Sequence, residues 1–481
     1  MVRHHLNLAL RKACKPPSRT SRKGFGFADS SDMKLSRLAV LKGIGWTVGV
    51  FGLSQLLRFV TIVAITRLLT PELFGIMAIV NSVRTGVDLA SDLGIGQNII
   101  QNKNADDPTF LNTAWTLQLI RGPILWIICS AVAVPLAHLY QSPLLIFVLP
   151  VAALYFVVLG FSSISMSLLQ RRLQFARLNT FDLFSEFISA LALLLFSYLS
   201  PTVWALVFGN LVGPVARMIT SYFLVPDLQH RVCISKQYAT QIFRFGKWIF
   251  VSSLVYFLSM NFDRLFLGKA APLALLGVYG VARSLSDPIG ALVARICNYV
   301  VFPVFASNSA TARDSLRRQV ASMRTKSLVL VALGLSLFVT VADLPVKMLY
   351  DQRYQAAGWM LPLMTIGLWF SIICSVNETT LLGFGKPHYS AIANGLKFSY
   401  LLIALPVGFM EFGVLGAVVA VAVGDVSRYG PILFGQIRER FSFRVQDFSL
   451  TLMFLALVVV WGWLRCVAGF GTSFDDLPIT D

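Results

Sequence analysis

The sequence predicts an all-α polytopic membrane protein: two six-helix transmembrane lobes related by a parallel repeat around a central cavity, plus one extra C-terminal helix. Three observations carry this. Of the 481 residues, 56% are hydrophobic and only 13% are charged, about half the usual charged share of a soluble domain. The apolar residues fall in runs at or above the ~20 residues that cross a bilayer. The formal charge is nevertheless +18, and the basic residues punctuate the apolar runs. Intrinsic disorder is excluded by the hydrophobicity, and a soluble enzyme by apolar surface that no core of this size would hide. A basic balance also suits nucleic-acid binding, but its placement between spans favours membrane lipids as partner and no nucleic acid.

Taken in order, residues 1–38 form a basic, Ser-containing tail expected to be disordered. It has no apolar stretch, so it is not a secretory signal; an organellar transit segment or translation starting at Met33 are the alternatives. The first lobe, 39–228, holds helices at 41–68, 72–99, 110–136, 144–169, 177–199 and 203–226. Pro71 and Pro201 mark helix starts, and Gly122-Pro123 is expected to kink the third helix. The second lobe, 229–440, holds helices at 242–268, 273–305, 326–349, 357–383, 388–409 and 412–436, with Pro272 and Gly385-Lys386-Pro387 as punctuation. Residues 441–481 add a thirteenth helix, 447–468, and an acidic tail.

Orientation follows from the basic loops. A cytoplasmic N-terminus gathers the tail, Lys103, Arg171, Arg172, Arg177, Arg231, Lys236, Arg244, Lys247, Arg313, Arg317, Arg318, Arg324, Lys326, Lys386, Arg438, Arg440 and Arg444 on one side. Arg67, Lys269, Lys347 and Arg353 remain on the other.

The repeat is carried by landmarks in order. Leu73-Phe74-Gly75-Ile76 after Pro71 matches Leu275-Leu276-Gly277-Val278 after Pro272; Gly213-Pro214-Val215-Ala216-Arg217 matches Gly424-Asp425-Val426-Ser427-Arg428. Parallel repeats place a substrate site between two bundles.

Charges inside the spans are the candidate functional residues. An arginine at mid-helix costs roughly 2.5–3.5 kcal/mol on insertion scales, so such residues point into a bundle or a wet cavity. Arg58, Arg121 and Lys397 have no acid at helical spacing on their own helices and are candidates for an anionic ligand, which guanidinium groups hold by bidentate hydrogen bonds. Arg217 and Arg283 join them as cavity cations. Arg84 with Asp88, and Arg283 with Asp287, are i,i+4 pairs, and Asp92 continues the first face. Asp88, Asp263, Asp287 and Asp425, with Arg84, are candidates for proton or sodium coupling or for pairs that close the lobes; plain counter-ions are the alternative for each. Lys42 and Arg465 lie near enough to helix ends to snorkel.

No chemistry-bearing motif competes with this. Gly383-Phe384-Gly385-Lys386 lacks the spacing of a phosphate-binding loop, the five histidines form no metal motif, and the six cysteines show neither a zinc pattern nor a disulfide framework. No cofactor is expected, and no catalytic or metal site.

Several segments resemble bacterial polysaccharide transporters of the multidrug/oligosaccharidyl-lipid/polysaccharide (MOP) flippase superfamily, in the exopolysaccharide and O-antigen branch. These are Thr66-Arg67-Leu68-Leu69-Thr70-Pro71-Glu72-Leu73-Phe74-Gly75, Asp92-Leu93-Gly94-Ile95-Gly96-Gln97, Leu111-Asn112-Thr113-Ala114-Trp115 through Arg121-Gly122, Arg171-Arg172-Leu173-Gln174-Phe175, Asp263-Arg264-Leu265-Phe266-Leu267-Gly268-Lys269, and Phe302-Pro303. The resemblance covers residues 36–440. It implies a non-enzymatic flippase in the bacterial cytoplasmic (inner) membrane. The implied substrate is a lipid-linked oligosaccharide on a polyprenyl diphosphate carrier, moved by alternating access, with cavity cations holding the diphosphate. Polysaccharide polymerase or export machinery are the implied partners. Members typically have twelve or fourteen helices, against the thirteen read here. The alternatives are a drug/cation exporter of the same fold, which predicts an acidic cavity, and a membrane-embedded glycan polymerase or glycosyltransferase, which predicts a large outer loop.

Overall fold

The computed structural model describes residues 37–92, 94–102, 107–172, 174–226, 228–297, 301, 305, 313–475 and 477. The tail up to residue 36, Lys103 and Phe302-Pro303 lie outside the described residues, as do the side chains of Lys42, Arg244 and Lys247.

The chain runs through α1 (Arg37–Leu68), α2 (Pro71–Leu89), α3 (Ile95–Gln101), α4 (Pro108–Leu139), α5 (Leu145–Ala152), α6 (Leu154–Gly160), α7 (Ser165–Arg171), α8 (Phe175–Leu199) and α9 (Val203–Ser221). It continues through α10 (Lys236–Ala270), α11 (Leu273–Ile296), α12 (Arg313–Val341), α13 (Asp343–Leu349), α14 (Ala357–Gly383), α15 (His388–Arg438) and α16 (Arg444–Val467), with one 3-10 turn at Gln352–Tyr354. Among the described residues there is no strand. Among the described residues, eight helices are long and apolar enough to cross a membrane, or up to nine if the bent pair Leu145–Gly160 and Ser165–Arg171 is one span. The 51-residue α15 leaves helical geometry at Phe412 and Gly413, the latter at φ 58°, a conformation glycine adopts without a Cβ penalty. It therefore supplies both of the expected spans 388–409 and 412–436. The charged helices α2, α10 and α11 occupy three further expected spans.

Three expected spans are interrupted. The run 72–99 stops at Leu89 and restarts at Ile95. In the gap, Asp92 Oδ1 accepts from the Gly94 N–H at 2.8 Å, so Asp92 sits in a turn and does not continue the Arg84–Asp88 face. The run 144–169 bends by 59° between α6 and α7. Serine hydroxyls compete there for the backbone: Ser163 Oγ accepts from Ser165 N–H at 3.1 Å, and Ser221 Oγ from Ser163 N–H at 2.9 Å. The run 326–349 starts earlier, at Arg313, and breaks at Ala342, so the basic residues 313–326 are helical and not in a loop. Conversely, α4 runs unbroken through Pro123, where a kink was expected.

The helices form two compact units. The first contains the described chain to Thr61 and Val83–Ser253; the second contains Ile62–Ser82 and Leu254–Asp481. The end of α1 and the start of α2 thus belong with the C-terminal unit, where the sequence reading divides the chain at 228/229 and 440/441. In the second unit, α2 and α11 cross at Gly75 and Gly277. A Cβ at Gly75 would lie 2.0 Å from the Leu273 carbonyl oxygen, and one at Gly277 would lie 1.9 Å from the Pro71 carbonyl oxygen. The contact is reciprocal between residues that the repeat equates. Tyr354 seals it: its hydroxyl donates to the Leu69 carbonyl at 3.1 Å and its ring meets Phe74 edge-on.

The final helix, α16, is bound into this unit at both ends. Near its start, buried Asp447 pairs with buried Arg324 of α12 and accepts from Asn377 Nδ2 (2.9 Å) and Tyr429 Oη (3.0 Å). Near its end, Arg465 grips buried Asp343 with both terminal nitrogens, at 2.6 and 2.8 Å. Two sequence expectations are corrected here: Arg324 is not a loop cation, and Arg465 does not merely snorkel. Cys129, Cys297 and Cys374 are buried free thiols and Cys466 an exposed one.

Candidate functional site

In the first unit the candidate charges form separate cross-helix pairs, one of them on α4. Arg121 meets an acid on a neighbouring helix, not a free anion position. Its Nη2 donates to Asp88 Oδ1 (2.7 Å), the Asp88 carbonyl (2.8 Å) and Ser91 Oγ (2.9 Å), and its Nε to the Ser91 carbonyl (3.0 Å). Those carbonyls belong to the end of α2, where the helix stops and its last C=O groups lack intrahelical donors. Arg121 therefore caps the broken second span. One turn earlier on α4, Gln118 Nε2 donates to the carbonyls of Leu159 (2.9 Å) and Ser162 (3.0 Å), at the break between α6 and α7. Residues three apart share a helix face, so one face of α4 satisfies two breaks. The helices approach closely enough for this because Gly122 and Gly160 face one another's backbones. Between the breaks lies a cavity of about 230 Å³, lined among others by Asp88, Asp92, Gly96, Gln118, Arg121, Phe156, Ser163 and Ser167.

The expected Arg84–Asp88 pair does not form: Asp88 is taken by Arg121, and Arg84 lies 4.3 Å from the centre of the Tyr155 ring, a cation–π arrangement. Arg58 pairs with Glu186 of α8 at 2.7 Å and Arg217 with Asp182 at 2.8 Å. Both pairs are accessible, at 54% and 30% for Arg58 and Glu186, and 37% and 34% for Arg217 and Asp182.

In the second unit the charges form two groups. Arg283 reaches Asp287 at 3.4 Å, one helical turn on, and Asp263 at 3.7 Å; Arg264 also reaches Asp287, at 3.2 Å. Buried Asp263 additionally accepts from the Tyr279 hydroxyl. Lys397, with no acid at helical spacing on its own half of α15, pairs across the kink with Asp425 at 3.0 Å. Asp425 also binds Arg428 (2.9 Å), which binds Glu378 (2.7 Å), which accepts from Ser390. This quartet is formally neutral. Its charged side chains are at most 17% accessible.

Sequence reasoning placed the cations correctly inside helical spans but left Gln118, Glu378 and Arg428 out of the site. The i,i+3 relation of Gln118 to Arg121 was the available signal. Glu378 to Arg428 is a cross-helix partnership with no signature in spacing. Arg58, Arg121 and Lys397 have no acid at helical spacing on their own helices, yet each pairs with one on a different helical segment. Desolvating an unpaired charge costs several kcal/mol, so partners are recruited wherever helices cross. Among the described residues, no group of three His, Cys, Asp or Glu side chains is placed to hold a metal ion.

These contacts predict that Arg121→Lys destabilises the protein, because one ammonium cannot reproduce a fork that spans two carbonyls and a carboxylate. Hydrogen bonds to charged groups contribute about 1.5–3 kcal/mol. The midpoint of heat-induced aggregation in detergent should fall; an unchanged midpoint would contradict the capping role.

A bundle of long apolar helices with broken spans and paired charges inside the spans defines an all-α polytopic membrane fold. The chain matches the lipid II flippase MurJ in an inward closed conformation with a TM-score of 0.69, covering 87% of this chain and 92% of that one at 13% identity. It matches an inward-facing multidrug resistance transporter of the MATE family with a TM-score of 0.63, covering 80% and 94% at 16% identity. At these identities the likeness speaks to fold. Residues 64–358 match the polysaccharide biosynthesis protein family, and the chain belongs to that family. The succinoglycan biosynthesis transport protein ExoT of Rhizobium meliloti is 23% identical over 353 residues, 72% of this chain and 70% of ExoT. The teichuronic acid biosynthesis protein TuaB of Bacillus subtilis is 24% identical over 297 residues, 61% of each chain. The chain thus spans about three fifths of TuaB's length.

Proposed function

We propose that this protein is a flippase moving a lipid-linked oligosaccharide, carried on a polyprenyl diphosphate, across the bacterial inner membrane by alternating access, with its N-terminus in the cytoplasm. The observation that carries this reading is the family match over more than half of the chain. The charge geometry refines it. Every cation named as a headgroup ligand already has a carboxylate, so a diphosphate must compete with that partner or take the N–H groups it leaves over. The accessible pairs Arg58–Glu186 and Arg217–Asp182 are suited to that exchange, whereas Lys397 sits in the buried quartet and acts structurally. Arg283, Asp263, Asp287 and Asp425 remain the candidates for ion coupling. The sign of the buried charge no longer separates this reading from a drug exporter, since the pairs cancel; family membership supports the glycan reading. The six-plus-six parallel repeat finds support in the reciprocal Gly75–Gly277 crossing. A polymerase or export machinery is the proposed downstream partner.

The test is translocation of a fluorescent polyprenyl diphosphate-linked oligosaccharide in vesicles containing the purified chain. Arg58→Ala and Arg217→Ala should each slow translocation about tenfold, equivalent to about 1.4 kcal/mol of lost interaction. Thermal stability should hardly move, because an accessible ion pair contributes only about 0–1 kcal/mol. Transport unchanged in both variants removes these residues from the headgroup site, and no transport by the unsubstituted chain overturns the function.

A further inference from the structure

We infer that the cavity between the two broken spans of the first unit is a subsite for one neutral sugar ring. This rests on the reading that the substrate carries a glycan, and it gives the glycan a site separate from the diphosphate.

The inference starts from groups left over once the breaks are capped. Among the described residues, Arg121 uses Nε and Nη2 on the end of α2, leaving Nη1 without a partner, and Gln118 uses its amide nitrogen on the α6–α7 break, leaving Oε1. Among the same residues Asp88 and Asp92 each use only Oδ1, and the Ser167 hydroxyl makes no hydrogen bond. All five residues line the cavity. They offer acceptors on two carboxylates and an amide and donors on a guanidinium and a hydroxyl, beside apolar wall from Phe156 and Leu159. A small set of placed polar groups over an apolar wall is how pockets orient a ligand.

The wall's charges select the ligand. Among the lining residues Asp88, Asp92 and Arg121 sum to −1 and Arg121 is already paired with Asp88, so a phosphate or a uronic acid finds no unpaired cation on the wall. A sugar hydroxyl both donates and accepts. A ring with adjacent hydroxyls therefore satisfies carboxylate, amide and guanidinium together without adding charge, and its C–H face suits the apolar wall. Such a site cannot be built on unbroken helices, whose backbone and side chains would close the space. Discontinuous helices are a recurrent way of making binding sites in transporters.

The experiment uses the full chain carrying Ser167→Cys in detergent-free vesicles. Alkylation of residue 167 by N-ethylmaleimide is followed by site-resolved mass spectrometry, with free hexoses, deoxyhexoses, N-acetylhexosamines and hexuronates as probes, and inorganic pyrophosphate and sodium chloride as controls. At least one neutral sugar should slow alkylation, by about tenfold at about nine times its Kd. Hexuronates, pyrophosphate and sodium should not. Asp92→Asn keeps an oxygen for the Gly94 N–H and removes one charge, so in that background the hexuronate should begin to protect. Saturation-transfer NMR of the same sugars on the unsubstituted chain gives a readout that needs no variant.

Protection by pyrophosphate or sodium without any sugar, absence of protection and of saturation transfer by every sugar, or hexuronate excluded equally by both backgrounds each overturns the subsite. Failure here with intact translocation of the lipid-linked glycan leaves the function standing. Protection without translocation does the reverse.

Discussion

Gly277→Leu is expected to leave little folded protein in the membrane. Its Cβ would sit 1.9 Å from the Pro71 carbonyl oxygen, a backbone atom that cannot rotate aside, so the start of α2 must move away from α11. Overpacking a well-packed site typically costs about 1–3 kcal/mol, and a clash with rigid backbone belongs at or above the top of that range. The movement would also strip the Tyr354 hydroxyl of its bond to the Leu69 carbonyl. Gly75→Leu should behave alike, since its Cβ meets Leu273 in the mirror arrangement. The control is Gly280→Ala on the same helix, with nothing within 4 Å of its Cβ; a helix-interior glycine replaced by alanine there gains up to about 1 kcal/mol. Size-exclusion recovery after heating measures all three. Opposite signs for positions 277 and 280 confirm the crossing; a common sign would show that the helices are not in contact there.

The second large effect is expected at Asp447. Asp447→Leu strands the Arg324 guanidinium among Asn377, Gln446 and Phe443 in a buried position, and removing one partner of a buried ion pair costs about 3–5 kcal/mol. Replacing both, as Arg324→Met with Asp447→Leu, should restore much of the loss, because apolar groups of similar volume often substitute for a buried pair at little net cost. Recovery should be incomplete, since Asn377 and Tyr429 still lose their acceptor. A double-mutant cycle on thermal stability reads the coupling directly; additive losses would mean that the two side chains do not act on one another.

The α16 contacts also show where sequence reading stopped. Its apolar run made the thirteenth helix plain, and the same run made it look like an appendage. What binds it are Arg324–Asp447 and Arg465–Asp343, pairs more than a hundred residues apart. Arg324 read as a loop cation because the apolar stretch begins near Lys326, while the helix itself begins at Arg313. Polar residues are helical as readily as apolar ones, so apolarity marks where a span lies in lipid but not where its helix starts.

At the candidate site the same division holds. Arg58, Arg84, Arg121 and Lys397 were identifiable as intramembrane cations in need of company. Only for Arg283 and Asp287 did an i,i+4 spacing name a partner that the structure also uses. Arg84 and Asp88 have the same spacing, yet Asp88 turns to Arg121, whose fork also reaches the carbonyls that the helix end leaves open. Spacing permits a pair; competition among neighbours decides it.

The sequence by itself determined the all-α class, the approximate place of most apolar spans, the membrane environment and the family, because apolar length, prolines and glycines act locally along the chain. Tertiary structure alone decided how many helices those spans make, which carboxylate neutralises which cation, that three expected spans break, and that Gln118 and Arg121 cap two of those breaks around a cavity. Those outcomes depend on distances between helices, and helix crossings bring together residues whose separation in sequence carries no trace of the contact.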